Sequence, residues 1–81
     1  MAEQIVRSPL PGVFYRSPAP DQPPFAEVGD TVAADQTIGV VEIMKQFSQV
    51  KAGVAGRVTA FVAEDEGVLG PGDTIATIDE G

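Results

Sequence analysis

Cysteine and histidine are both absent from this sequence of 81 residues. Without cysteine the chain can form no disulfide, no thiolate metal site and no cysteine nucleophile. Without histidine it lacks the commonest general base and the commonest zinc ligand. These absences exclude most hydrolases and zinc enzymes, and we find no catalytic residue pair that would make the chain an enzyme by itself.

Basic residues and long apolar runs are also scarce. Five lysines and arginines stand against 12 acidic residues, so the net charge is -7. A surface of this charge repels phosphate backbones, and we therefore expect no nucleic-acid partner. No segment approaches the ~20 apolar residues of a membrane span, and Met1–Gln4 lack the basic start of an export signal. We expect no membrane association and a cytoplasmic location.

The length predicts one small domain, residues 1–81, with a limited core. Nine glycines and seven prolines separate short runs rich in Val, Ile, Thr and Phe, which favours an all-β fold. The predicted strands are Gly12–Arg16, Thr31–Ala33, Thr37–Ile43, Gln46–Lys51, Arg57–Val62 and Thr74–Ile78, with Phe25–Val28 as a further candidate.

The sequence also resembles itself. A shift of 44 aligns Phe14 with Val58, and a shift of 37 aligns residues 37–42 with residues 74–79. The first half therefore holds seven extra residues after Phe14. If the match is not due to chance, two similar halves pack about a pseudo-twofold axis as a flattened barrel or sandwich.

The extra residues coincide with a proline-rich segment, Ser17–Pro24, in which four of eight residues are proline. Proline has no backbone N–H to donate, so this segment cannot join the interior of a sheet. We predict that it forms a stiff excursion outside the strands.

A lysine stands between the two most regular predicted strands. No loop separates Ile43 from Gln46, so a reversal there requires a two-residue turn made of Met44 and Lys45. Such a turn needs positive φ at both positions, which Met and Lys adopt only with strain. Strain at an exposed tip favours a functional site. The alternative is one continuous strand with Lys45 on its solvent face. The turn predicts three cross-strand pairs: Ile43 with Gln46, Glu42 with Phe47, and Val41 with Ser48.

The residues around the turn resemble a known family. Glu42-Ile43-Met44-Lys45 is similar to the Glu-Ala-Met-Lys signature around the biotinylated lysine of biotin carboxyl carrier domains. The resemblance extends over nearly the whole chain. It includes these further segments: Ser8-Pro9, Gly12, Phe14–Pro18, Pro20-Asp21 and Phe25–Asp30. The segment Ser17–Pro24 resembles the "thumb" found in carriers of bacterial and plastid acetyl-CoA carboxylases, and we use that name for it below.

This resemblance implies a barrel-sandwich hybrid fold with biotin attached to Lys45 through an amide. Met44 and Glu42 belong to the implied attachment motif, and Ser17 is a possible polar contact from the thumb. The implied function is that of a carrier without catalytic activity, which takes part in fatty acid synthesis. The implied partners are a biotin protein ligase, a biotin carboxylase and a carboxyltransferase. For a plant protein, the expected location is the plastid instead of the cytoplasm.

Two positions depart from the signature, since Ile43 replaces alanine and Gln46 replaces an apolar residue. Lipoyl domains share the implied fold, but they resemble Asp-Lys-Ala at the tip, so lipoylation is the alternative modification. An unmodified interaction module is a further alternative. The acidic run Glu64-Asp65-Glu66 fits a solvated loop better than a cation site.

Overall fold

The computed structural model describes residues 3–19 and 21–81, and within them the chain is all-β, as predicted. Two four-stranded antiparallel sheets form a sandwich, with the strand orders β1-β8-β6-β3 and β5-β4-β2-β7. The strands are β1 Glu3–Arg7, β2 Gly12–Tyr15, β3 Thr31–Val32, β4 Thr37–Ile43, β5 Gln46–Lys51, β6 Gly56–Phe61, β7 Val68–Leu69 and β8 Thr74–Asp79. The described residues contain no helix with the length and apolarity that a membrane crossing requires.

Six of the predicted strands are present, and β4 and β5 have the predicted bounds. The predicted strand Phe25–Val28 is wrong, because the chain turns there. The side chain of Asp30 accepts the backbone N–H of Glu27 at 3.0 Å and closes that turn. Strands β1 and β7 were not predicted. β1 is an edge strand with Val6 as its only buried residue, and β7 has two residues, so neither shows a clear periodic pattern.

The two sheets repeat one another strand by strand, with β5-β4-β2-β7 corresponding to β1-β8-β6-β3. Phe14 lies opposite Val41 in one sheet, and Val58 lies opposite Ile78 in the other. These partners are related by the shifts of 44 and 37 seen in the sequence. The internal similarity therefore reflects two equivalent halves, and chance is excluded by the shared register.

The turns repeat as well. The backbone N–H of Gly29 donates to the carbonyl of Val58 at 2.8 Å, and that of Glu66 donates to the carbonyl of Phe14. Both donors have positive φ, 98° for Gly29 and 65° for Glu66. The second half thus forces a glutamate into the left-handed conformation that the first half gives to glycine.

Two aligned glycines allow the strands of each half to approach closely. A Cβ on Gly12 would lie 2.5 Å from the carbonyl oxygen of Glu42, and a Cβ on Gly56 would overlap the carbonyl oxygen of Asp79. No ordinary side chain fits at such distances, so glycine is required at the same place in both halves.

The core lies between the sheets and is made of small and medium apolar side chains around a single ring, that of Phe14. The fully buried large residues are Phe14, Ile38, Val41, Val58, Ile75 and Ile78. Gly39 on β4 makes room for that ring, since a Cβ there would lie 2.7 Å from Cζ of Phe14 and closer still to Cε1. Ring and glycine together complete the packing of the first half.

Candidate functional site

Lys45 lies at the tip of a tight hairpin. β4 ends at Ile43 and β5 begins at Gln46, so Met44 and Lys45 alone form the turn. The three predicted cross-strand pairs are confirmed. Both turn residues have positive φ, 51° and 67°, as a type I′ turn requires. Because the chain reverses here, the alternative of a continuous strand is excluded.

The turn presents its side chains to solvent. Met44 is 90% exposed, and Lys45 is exposed as well. An apolar side chain at such a position contributes nothing to the core, and its left-handed backbone costs stability. Met44 is therefore suited to contact another molecule. It has no packing role within the fold.

Met44→Asn should stabilise the chain, because asparagine adopts the left-handed conformation more readily than methionine. We expect the free energy of unfolding to rise by ~0.5–1 kcal/mol, measured by urea denaturation. The matched control is Gln46→Asn, one residue beyond the turn, where the strand backbone offers no such gain. Equal stability of Met44→Asn and the unchanged chain would show that the turn is not strained.

The described residues of the thumb, 17–19 and 21–24, lie outside both sheets, between β2 and β3. The base of the thumb is closed by a backbone hydrogen bond from Phe25 to Arg16 at 2.8 Å. The guanidinium of Arg16 stacks on the ring of Phe61, with 4.3 Å from Cζ to the ring centroid. The backbone N–H of Arg16 donates to the side chain of Asp65 at 2.9 Å. One contact thus closes the base of the thumb on itself, and two hold it against the second half of the fold.

A pocket of about 360 Å³ opens between the thumb and the hairpin. It is lined by Tyr15, Ser17, Pro18, Ala19, Phe47, Asp65 and Glu66. Its volume lies at the lower end of the range for small-molecule sites. Of the predicted site residues, Ser17 lines this pocket, while Met44 and Lys45 stand at the hairpin tip. Phe47, two residues beyond Lys45 on β5, connects the tip to the pocket wall.

Glu42 joins the hairpin to the same wall. The hydroxyl of Tyr15 donates a hydrogen bond to Oε1 of Glu42 at 3.2 Å. The rings of Tyr15 and Phe47 lie 6.3 Å apart between centroids and are tilted by 51°, a favourable aromatic arrangement. The carboxylate of Glu42 is therefore directed towards the pocket wall by Tyr15.

The hydrogen bond to Glu42 raises the pKa of Tyr15 above its usual value near 10, with further contributions from desolvation and from the charges of Glu42, Glu66 and Asp65. Tyr15 is the only tyrosine, and tryptophan is absent. Titration by ultraviolet absorbance near 295 nm should give a midpoint above 10 that moves down in Glu42→Gln. Glu80→Gln removes a charge at an exposed site as the control. An unchanged midpoint in Glu42→Gln would contradict this geometry.

Sequence patterns missed several residues of this site. Phe47 reads only as a strand residue, and the acidic run is interpreted as a solvated loop. Tyr15 belongs to the resembling segment Phe14–Pro18, but no role in the site is predicted for it. Asp65 does lie in a loop, but it also binds the base of the thumb. Among the described residues no group of three potential metal ligands is close enough to hold an ion. A signal was present for Phe47, since a large aromatic residue two positions after an exposed turn has no core to fill.

Comparison with known proteins shows the family to which the chain belongs. The model of the biotin–lipoyl family, described as "Biotin-requiring enzyme", matches residues 4–78. The chain belongs to the biotin–lipoyl family. This biotin–lipoyl domain is 48% identical over 60 residues to the biotin carboxyl carrier protein of acetyl-CoA carboxylase 1, chloroplastic, of Arabidopsis thaliana, covering 74% of the chain and 21% of that protein. It is 42% identical over 74 residues to the corresponding carrier of Streptococcus pyogenes, covering 91% of the chain and 45% of that protein.

Solved structures show the same fold. The biotin–lipoyl domain superposes on urea carboxylase of Kluyveromyces lactis with a TM-score of 0.80 and 25% identity, over 98% of this chain and 6% of that one. A single-chain, multi-domain long-chain acyl-CoA carboxylase gives a TM-score of 0.81 at 23% identity, over 98% and 7%. The chain thus spans only 6% and 7% of these two carboxylases. It spans 21% of the Arabidopsis carrier protein and 45% of the Streptococcus carrier protein.

Proposed function

We propose that this chain is a biotin carboxyl carrier that presents biotin on Lys45 to the active sites of a carboxylase. The observation that carries the proposal is the hairpin itself, which places one primary amine at an exposed tip on a strained turn. A rigid β-sandwich holds that tip, so a group attached to Lys45 moves about a fixed base.

The chain supplies presentation and no catalysis of its own. Acylation of Lys45 requires its ammonium to lose a proton before the nitrogen attacks an activated carboxyl group. The sequence contains neither histidine nor cysteine to take that proton. A separate biotin protein ligase therefore supplies the activated biotin and the base, and it recognises the exposed residues Met44 and Lys45 at the tip.

The pocket fits the bicyclic ring of biotin. Tyr15 and Phe47 provide two aromatic walls, and Ser17 provides a polar group from the thumb. Apolar walls with a few placed polar groups are typical of sites for small cofactors. When attached, biotin would supply the chemistry of carboxyl transfer through its ureido ring. The residues of the pocket would bind and orient that ring while it is away from the partners' active sites.

The partners that we propose are a biotin carboxylase and a carboxyltransferase. Relatives from bacteria and from chloroplasts are named as carriers of acetyl-CoA carboxylase, and this supports acetyl-CoA as the substrate of the assembly and fatty acid synthesis as its role. Tethering raises the effective concentration of the cofactor at the second active site. We propose the cytoplasm as the compartment, or the plastid for a chain from a plant.

Intact mass spectrometry after incubation with a biotin protein ligase, biotin and ATP tests the proposal. We expect a gain of one biotinyl group, located by peptide mapping on the peptide that contains Lys45. A gain only with a lipoate ligase would show a lipoyl carrier, and no gain with either ligase would show an unmodified interaction module. Both outcomes would overturn the proposal.

A further inference from the structure

The pocket between thumb and hairpin has an unusual charge. Two of its seven lining residues are acidic, Asp65 and Glu66, and none is basic. A third carboxylate, that of Glu42, is hydrogen-bonded to Tyr15 on the pocket wall. A site for an anionic group normally contains arginine, lysine or converging backbone N–H groups. The charged residues that line this pocket are all negative, which is the opposite of what an anion site requires.

The charges of these carboxylates reach into the pocket. Tyr15 lines the pocket, and the charges of Glu42, Glu66 and Asp65 all raise the pKa of its hydroxyl. Of the nearby cations, Arg16 stacks its guanidinium on Phe61 and directs Nη2 towards the carbonyl of Ala26. Lys45, at the tip of the hairpin, would lose its charge when its amine becomes an amide.

We propose that this pocket discriminates by charge, holding the uncharged biotin ring and disfavouring the ring that carries a carboxylate. The inference rests on the proposed function. The partner carboxylase would form the N–C bond from bicarbonate activated by ATP: one bicarbonate oxygen leaves with the transferred phosphate, and a base of that carboxylase takes the ureido proton. The product, N–COO⁻, adds one negative charge where Asp65 and Glu66 already stand. The uncarboxylated ring would therefore stay in the pocket, and the carboxylated ring would leave it. The carboxylated ring is then available for transfer.

The size of the effect follows from the surroundings. Like charges several ångströms apart at a solvated surface repel weakly, and two such pairs change a docking equilibrium by roughly three- to tenfold at low salt. The discrimination should weaken as ionic strength rises, because salt screens exposed charges. Packing of the ring against Phe47 is the same for both forms and does not discriminate.

The fraction of docked ring is measured by NMR, from nuclear Overhauser contacts between the biotin ring and Phe47 or Ala19. The biotinylated chain is compared before and after carboxylation by biotin carboxylase, ATP and ¹³C-bicarbonate at low temperature. We expect a three- to tenfold lower docking ratio after carboxylation. In Asp65→Asn with Glu66→Gln, that difference should shrink by at least half. Asparagine keeps an oxygen that accepts the N–H of Arg16, so the thumb stays in place.

The control removes the same two charges elsewhere, with Asp35→Asn and Glu80→Gln, which are exposed and do not line the pocket. It should discriminate as the unchanged chain does. Equal docking of the two forms in the unchanged chain overturns the inference alone. A difference that is the same in both double variants also overturns it. Absence of ring contacts in either form overturns the binding site given under the proposed function, and the inference with it.

Discussion

Lys45→Arg should take up no biotin. Arginine keeps the positive charge and the length of the side chain, so the hairpin and the surface field are preserved. Its guanidinium stays protonated and is not an acyl acceptor under these conditions. Intact mass after incubation with a biotin protein ligase should therefore show no gain, against a gain of one biotinyl group for the unchanged chain.

Lys51→Arg is the matched control, because Lys51 is the only other lysine and is exposed at the far end of β5. It should accept one biotin as the unchanged chain does, since a lysine within a paired strand cannot enter an active site as a turn can. Circular dichroism should be the same for both variants. If Lys45→Arg took up biotin, or if Lys51→Arg did not, the attachment site would not be Lys45 at the hairpin tip.

Gly39→Ala should cost the largest share of stability of any substitution considered. The added Cβ would lie 2.7 Å from Cζ of Phe14 and closer to Cε1, inside the buried core between the sheets. Overpacking typically costs 1–3 kcal/mol, and we expect ~2–4 kcal/mol here because the ring is completely buried. The measurement is the free energy of unfolding from urea denaturation.

The internal repeat supplies the compensating change. At the positions equivalent to Phe14 and Gly39, the second half has Val58 and Ala76, both completely buried. Phe14→Val alone should cost ~2–3 kcal/mol by leaving a cavity. Combined with Gly39→Ala, it should cost less than the sum of the two, with a favourable coupling of ~1–2 kcal/mol. Strict additivity would show that ring and glycine are not packed as a pair.

Substitution of a second glycine, Gly53, shows the cost of backbone strain without steric overlap. Gly53 has positive φ, 80°, but a Cβ there would meet no atom within 4 Å. Gly53→Ala should cost ~1 kcal/mol through backbone strain only, and no single core substitution should restore it. The contrast between Gly39 and Gly53 separates steric overlap from conformational strain.

Much of this architecture could be predicted because its causes are local. The turn at Met44 and Lys45 follows from two adjoining strands with no loop between them, and its register follows from the turn length. The proline content alone keeps the thumb out of the sheets. The resemblance to biotin carboxyl carrier domains adds the expectation of biotin on Lys45, which composition and spacing do not imply.

Other features could not be predicted because they depend on contacts between distant segments. Phe25–Val28 contains strand-forming residues, yet Asp30 turns the chain there. β1 is polar along most of its length and is a strand only because β8 offers it an unpaired edge. The tertiary structure overrides intrinsic preference at both places.

The sequence by itself predicted the class of fold, the two halves and the exposed amine at residue 45, since periodicity, glycine spacing and turn length act over a few residues. Only the tertiary structure decided that Tyr15, Ser17, Phe47 and the pair Asp65 and Glu66 surround one pocket. Those residues are up to about fifty positions apart. Tyr15 and Phe47 are brought together by the pairing of β2, β4 and β5 in one sheet, and the pairing of β7 with β2 brings the loop of Asp65 and Glu66 beside them. The sign of the charge in that pocket is therefore a property of the folded molecule.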